Sequence, residues 1–522
     1  MQSNKAIEFN EAFEKAWEVM EGSSRNVFVT GRAGTGKSTL LSYFREHTKK
    51  KVVVLAPTGV AAINVAGQTI HSFFKFKPDI TLQGVKRHYK KDDERNIYAK
   101  LDAIVIDEIS MVRADLLDCV DKFLRLNRFE DYPFGGTQMI FIGDLYQLPP
   151  VVTGAEREIF KTHYASPYFF DAKVCESLDL TLIALEKVYR QKDQSFITLL
   201  NAIRNNSATE VHLAAINQRY DPDFVPDPRA FSIHLTTTNA LAEEINGEHL
   251  EKLRQPLHTY HAETSGSFDR QSFPTDVHLS LKAGSQIMML NNDSLGRWVN
   301  GSIGKIVSIN PGEEDSPDVV NVELSNGIVY EVTPFTWELF HFSYDSKTKN
   351  LTSETVGTFT QYPMRLAWAV TIHKSQGKTF DNVVIDIGRG TFVHGQLYVA
   401  LSRCTSLGGI VLKQPVQKKH IFMDWRVVKF ITNFHYSMSE KALPLEEKIT
   451  MLEEAIESNR ALHITYLKAK DEKSERIIRP KRVGEMQYLG KAFLGVTAFD
   501  ELRQEERVFR VERILRMEKV ER

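Results

Sequence analysis

Over the first 190 residues, short β-branched apolar runs alternate with longer stretches whose apolar residues recur at helical spacing. That is the pattern of a parallel sheet covered by helices. Asn26 to Thr30 (NVFVT), Lys51 to Ala56 (KVVVLA), Ala103 to Ile106 (AIVI), Gln138 to Ile142 (QMIFI) and Leu180 to Leu185 (LTLIAL) read as strands, and Phe13 to Met20 and Asp115 to Leu126 as helices. A second alternating set begins near Ala230, with strands at Phe231 to Thr236, Ser285 to Leu290, Asn382 to Ile387 and Gly409 to Leu412. Two α/β domains follow, over residues 1–185 and 186–435.

From Asn300 to Thr360 the pattern changes to short strands with turn residues, at Gly304 to Ile309, Val319 to Leu324 and Gly327 to Val332, and Asn326-Gly327 is a hairpin signal. This predicts a small β-rich insert over about 295–360 in the second domain. Ser437 to Ile456 is charged with helical periodicity and reads as a helical linker over 436–460, after which β-like alternation returns as a small module over 461–522.

A chain of 522 residues has room for three or four domains of about 150 residues each. Lys plus Arg number 66 and Asp plus Glu 67, a net charge of −1, so no global basic field points to nucleic acid. Any such partner must be held by a local surface. Cys119, Cys175 and Cys404 have neither metal-ligand nor disulfide spacing, which fits a reducing cytoplasm. Residues 1–10 (MQSNKAIEFN) carry no secretion or lipidation pattern, and no run of about 18 apolar residues predicts a membrane span.

The chemistry is concentrated at the ends of the expected strands. Gly31-Arg-Ala-Gly-Thr-Gly-Lys37-Ser38 matches a phosphate loop in full, between a strand and a helix. Backbone N–H groups of Gly34, Thr35 and Gly36, with Thr39 at the helix start, can cradle phosphates. Lys37 can reach the terminal phosphates, and the Ser38 hydroxyl can ligate magnesium. Asp107 and Glu108 end a neighbouring apolar strand, Ala103 to Ile106, Asp107 suited to Mg2+ and Glu108 to deprotonating an attacking water. Gly143-Asp144-Leu-Tyr-Gln147-Leu-Pro-Pro150 places Gln147 where it can sense a γ-phosphate.

With these motifs, the sequence resembles superfamily-one DNA helicases, most closely the PIF (petite integration frequency) family, with RecD-like helicases as neighbours. The resemblance runs from Asn26 to Leu412 through GRAGTGKST (31–39), APTGVAAINVAGQTIHSFF (56–74), IDEISMV (106–112), GDLYQLPPV (143–151), LEKVYRQ (185–191), WAVTIHKSQGKTF (368–380) and YVALSRCTS (398–406). Asp115 to Gly136 is similar to the family's signature segment. The resemblance implies two RecA-like P-loop NTPase domains clamping ATP, a small β-barrel insert, and 5′ to 3′ movement on single-stranded DNA or 5′-tailed duplex, with roles in DNA repair, recombination and genome maintenance. It implies that Arg190 and Arg403 reach the phosphates on domain closure and that Gln376 and Gly377 lie near ATP. His373 and Lys374 would face DNA, opposite Thr58, Gly59 and His71 for phosphates and Phe73 for base stacking. The sequence leaves the preferred DNA structure open among G-quadruplexes, forks and RNA–DNA hybrids.

The family's adenine-reading glutamine is absent before the phosphate loop, leaving Asn10 as a substitute and Phe9 as a stacking ring or a hydrophobic staple. Lys75 to Lys100 corresponds in position to a strand-separating wedge and also reads as a solvated charged loop. The C-terminal module resembles the WYL domain, with Ile464-Thr465-Tyr466-Leu467 lacking the Trp, and with Arg479-Pro-Lys481-Arg482, Tyr488-Leu489-Gly490 and Arg507, Arg510 and Arg513. Those arginines fit a nucleic-acid or nucleotide-like ligand; with Glu505, Glu506 and Glu512 beside them they equally fit an ion-paired surface. The whole reads as a monomeric ATP-dependent DNA helicase of a bacterial cytoplasm or nucleoid. The alternatives are an RNA-directed translocase and a DNA-binding ATPase switch regulated through the WYL-like module.

Overall fold

The computed structural model describes residues 9–520 apart from 153, 155, 228–229, 267, 269–272, 314–315, 346–349, 389, 391–392, 469–471 and 489. Most of the N-terminal segment read for targeting, and Leu489, lie outside the described residues. The chain forms two compact units, residues 1–204 with 208–422, and residues 205–207 with 423–522.

In the larger unit, α1 (Glu11–Gly22) is capped by Asn10, whose side chain accepts from Phe13 N. There follow β1 (Asn26–Gly31), α2 (Lys37–His47), β2 (Val52–Ala56), α3 (Gly59–Asn64), β3 (Gln68–Thr69), α4 (Ile70–Phe74), β4 (Ala103–Ile106), β5 (Gln138–Gly143) and β6 (Leu180–Leu185). The six strands form a parallel sheet in the order β3-β2-β4-β5-β1-β6. Phe13, Ala16 and Met20 of α1 and Leu40 and Phe44 of α2 pack on Val27, Val29, Val105 and Ile140 of the sheet. With all strands parallel, their carboxyl ends share one edge, where open α/β sheets bind ligands.

A second parallel sheet orders Ala369–Thr371, β7 (Ser232–Thr236), Asn382–Asp386 and Ile410–Leu412. Two RecA-like α/β halves therefore stand in one unit. The run Ser285 to Leu290, expected in this sheet, instead forms Gln286–Met289 in an antiparallel sheet of the insert. The physical reason lies in its two faces: Met288 packs into the core of the second α/β domain, while Ile287 and Met289 pack into the core of the insert. A strand shared by two cores is apolar throughout and imitates a parallel strand.

The insert is longer than its turn pattern suggests, with strands from His258 to Leu366. Its five-stranded sheet contains the Val319–Leu324 and Val329–Val332 hairpin, turned at Gly327 with φ +75°. Lys75 to Lys100 is not freely solvated: Asn127 Oδ1 accepts from His88 N at 2.7 Å, Lys122 donates to Leu82 O, and Arg87 lies over the Phe129 ring.

Among its described residues, the smaller unit has two α-helices, Trp425–Ala442 and Leu445–Glu457, and a five-stranded antiparallel sheet from Leu462 to Lys519. The segment 436–460 is thus no linker, because Leu452 and Ala455 pack against Leu462, Ile478 and Val496 of the sheet. Leu443, extended before Pro444, breaks the helical run in two. Among the described residues, no helix is long and apolar enough to cross a membrane.

Candidate functional site at the sheet edges

The loop after β1 turns through Gly34 (φ +79°) and Gly36 (φ +91°), conformations that a side chain would strain. Gly34 is confined further, since a Cβ there would sit 2.5 Å from Arg190 Cβ. Lys37 opens α2 and its ammonium donates to Gly31 O at 2.6 Å and Arg32 O at 3.0 Å. Burial pushes that ammonium down, while Asp144, Glu108 and Asp107 oppose the shift. Three strand-end carboxyl groups are thereby gathered around the Lys37 ammonium.

Asp107 and Glu108 follow β4, and Glu108 adopts φ +50°, a left-handed conformation costing a non-glycine residue about 1–3 kcal/mol. The turn aims the carboxylate across the cleft, where Glu108 Oε2 accepts from Gln376 Nε2 at 3.0 Å. Burial, then the Asp107 charge, pushes the Glu108 carboxyl up to about 7, against Lys37 and Arg403. Burial also raises Asp107. Gln376 Nε2 reaches Gln147 Oε1 at 3.4 Å as well, so one amide of the second α/β half joins two groups of the first.

Arg190 and Arg403 arrive from different elements and are both held by carbonyls. Arg190 donates to Ser402 O at 3.1 Å and Gly377 O at 3.4 Å. Arg403, 1% exposed, donates to Val399 O at 2.9 Å, Lys378 O at 3.2 Å and Ser402 Oγ at 2.9 Å. Burial, then repulsion from Arg190, brings the Arg403 guanidinium down to about 9. Between these groups lies a cavity of about 820 Å³ lined by residues 33–39 of the loop and by Glu108, Gln147, Arg190, Gly377 and Arg403.

Several contributors had no assigned role in the sequence. Asp144 is fully buried; burial alone would raise its carboxyl, but Arg204 at 3.2 Å and Lys37 hold it below its ordinary range. Its position at the end of β5 parallels that of Asp107 and was the available signal, whereas Arg204 carried none. Tyr398 OH accepts from Ala33 N at 3.0 Å, tying the second half to the phosphate loop. Phe13 and Tyr189 line the cavity. Asn10 caps α1 and donates to Tyr189 OH at 3.1 Å, so its amide is engaged rather than presented to a base. Phe9 meets the edges of Phe13 and Tyr43, as a staple would.

The residues expected to face DNA divide. Thr58 is exposed and caps α3, which begins at Gly59; His373 and Lys374 are exposed after Ala369–Thr371. His71 is half-buried, and burial with Arg113 lowers its imidazole, favouring the neutral form. Phe73 is a correction: it is 1% exposed, packed on Phe74 and Tyr98, with Tyr98 OH donating to its carbonyl at 2.8 Å. A ring in that position cannot stack on a base. Among the described residues, no group of three or more His, Cys, Asp or Glu forms a separate metal site.

The PIF1-like helicase family matches residues 5–212, the UvrD-like helicase C-terminal domain residues 366–410, and the WYL domain residues 447–519. The chain is 34% identical to the human ATP-dependent DNA helicase PIF1 over 75% of its own length and 58% of that protein's, so it spans about three fifths of that relative. It is 31% identical to the Bdellovibrio bacteriovorus ATP-dependent DNA helicase Pif1 over 79% of this chain and 89% of the relative. The crystal structure of Bacteroides sp Pif1 in complex with ADP-AlF4 superposes with a TM-score of 0.74 at 37% identity, covering 82% of this chain and 97% of that one.

Proposed function

Since the chain belongs to the PIF1-like helicase family, we propose that it is an ATP-dependent DNA helicase that moves 5′ to 3′ along single-stranded DNA and opens the duplex ahead of it. The observation that carries this reading is the convergence of Lys37, Glu108, Gln147, Arg190 and Arg403 on one cavity at the edges of two RecA-like sheets.

In this reading the loop N–H groups of Gly34 to Thr39 hold the phosphates and Lys37 exchanges its carbonyl partners for phosphate oxygens. Ser38 and Asp107 would hold Mg2+; a hydroxyl and a carboxylate are the hard oxygen donors that ion takes, and it neutralises phosphate charge when bound. Glu108 takes the proton of the attacking water, Gln147 and Gln376 orient around the γ-phosphate, and Gly377 lies beside it. Arg190 and Arg403 stabilise the transition-state oxygens. Phe13 and Tyr189 flank the place for the base, which needs no glutamine for apolar stacking. Thr58, Gly59, His71, His373 and Lys374 grip DNA phosphates as the halves move. Three free cysteines support a reducing cytoplasm, and the chain acts as a monomer.

The test is ATP hydrolysis and unwinding by the full chain with 5′-tailed DNA, 3′-tailed DNA and RNA. The 5′-tailed duplex should be opened fastest. Equal unwinding from either tail removes the polarity, and hydrolysis stimulated more by RNA than by DNA replaces the substrate. For the smaller unit, Arg479, Arg507 and Arg510 each face a glutamate, which favours a surface of ion pairs over a ligand pocket.

A further inference from the structure

Three side chains from separate parts of the larger unit meet through two hydrogen bonds, at a recess that Asn64 and Asn300 line. Asn64 is the last residue of α3, the short helix that starts at Thr58 and Gly59. Asn300 sits in the insert, ahead of strand Ile303–Asn310, with its N–H donating to Asn292 Oδ1 at 2.9 Å. Lys378 follows Gly377 in the second α/β half. Asn300 Nδ2 donates to Asn64 Oδ1 at 2.6 Å, and the Lys378 ammonium donates to Asn300 Oδ1.

Lys378 is unusual as a lysine. It is 9% exposed, its stem lies against Gly301, and a Cβ at Gly301 would come within 3.3 Å of it. Its partner is a neutral amide, and burial, then Arg365, pushes the ammonium down to about 7. A cation desolvated without a carboxylate is costly, so the hydrogen bond to Asn300, its one side-chain partner among the described residues, matters to where it sits. The same residue has a second contact on its backbone side, where its carbonyl accepts from Arg403 Nη1 at 3.2 Å.

We propose that Lys378 is a positioning residue that transmits the placement of α3, through Asn64 and Asn300, to the guanidinium of Arg403. The inference rests on the reading that α3 lies against single-stranded DNA and that Arg403 serves ATP hydrolysis. A strand gripped at Thr58 and Gly59 shifts α3, and Asn64 moves with it. The Asn300 amide then pulls or releases the ammonium, and because side chain and carbonyl belong to one residue, Arg403 is re-aimed. DNA occupancy is thereby read at the hydrolytic site by a route that touches neither the phosphate loop nor Glu108.

The experiment measures ATP hydrolysis by the full chain, with and without saturating oligothymidylate, for wild type, Asn64→Ala, Lys378→Met and the double variant. Asn64→Ala should keep basal turnover within about twofold while DNA stimulation falls by about fivefold or more, the lower end of ordinary coupling. The double variant should lose no more than the worse single, because both changes cut one relay. Undiminished stimulation in Asn64→Ala, or losses that multiply in the double variant, overturns the proposal. A wild type that hydrolyses ATP without responding to DNA refutes the helicase reading instead. The relay is then decided by affinity for ADP with aluminium fluoride in the presence of saturating oligothymidylate, which both single variants should weaken and the double variant no further; additive losses there overturn it. If Lys378→Met fails to fold, Asn300→Leu replaces it in the same cycle.

Discussion

The arginines of the cleft and those of the C-terminal sheet are the same residue put to opposite uses. Arg190 and Arg403 are held by neutral carbonyls, with no carboxylate in ion-pair range among the described residues. Each keeps its full charge while its direction is fixed. On the C-terminal sheet, Arg479 meets Glu501 at 2.9 Å, Arg507 meets Glu505 at 3.7 Å and Arg510 meets Glu512 at 3.3 Å, with the arginines partly to largely solvated. Their charge is already answered. A guanidinium poised for an incoming phosphate is therefore recognised by what holds it: carbonyl oxygens orient without neutralising, carboxylates do both.

The sharpest way to break this comparison is to remove the arginines. Arg190→Ala or Arg403→Ala should lower kcat for ATP hydrolysis by about 10³-fold or more, whereas the triple change Arg479→Ala, Arg507→Ala, Arg510→Ala should leave basal turnover within about twofold. Comparable losses from the two sets would erase the distinction. Next in size, Glu108→Gln should cut turnover by about 10²–10⁴-fold while ATP still binds, since the amide keeps the shape but cannot take a proton. Steady-state hydrolysis surviving that change would move the base elsewhere.

A smaller effect comes from pH. With the Glu108 carboxyl raised to about 7 and needed in its ionised form, kcat/KM for ATP should decline as pH falls below about 7 and level off above it. The Glu108→Gln variant should lack that limb. Smallest of all, a double-mutant cycle on Arg479 and Glu501, both partly solvated, should return a coupling of at most about 1 kcal/mol that salt diminishes.

The contrast also marks where the sequence was legible. Lys37, Asp107 and Glu108 could be placed because strand, loop and helix follow one another locally, and parallel pairing brings strand ends to one edge. The apolar runs read as strands are β1, β5 and β6, whose parallel pairing the fold supplies. The identical ring in Phe73 could not be placed, because burial depends on Tyr98, 25 residues on and unmarked by any pattern. Gln286–Met289 was misassigned because a strand serving two cores loses the alternation that distinguishes antiparallel sheets. Arg204 reaches Asp144 from 60 residues away, a pairing that only the packed fold reveals. Glu505 and Glu512 stand two residues from Arg507 and Arg510, so those pairs were visible in the sequence, whereas Glu501 meets Arg479 from 22 residues away and only the packed fold reveals it.

Gly34 carries a consequence for how this cleft can change over generations. Its missing side chain leaves the space that Arg190 Cβ occupies, so any residue larger than glycine at 34 displaces the arginine even if the loop could tolerate its dihedral angles. Substitutions at 34 and 190 are consequently epistatic. A single substitution at 34 therefore shifts Arg190 within the cavity that both residues line, and change in this loop is channelled to positions that do not face this contact.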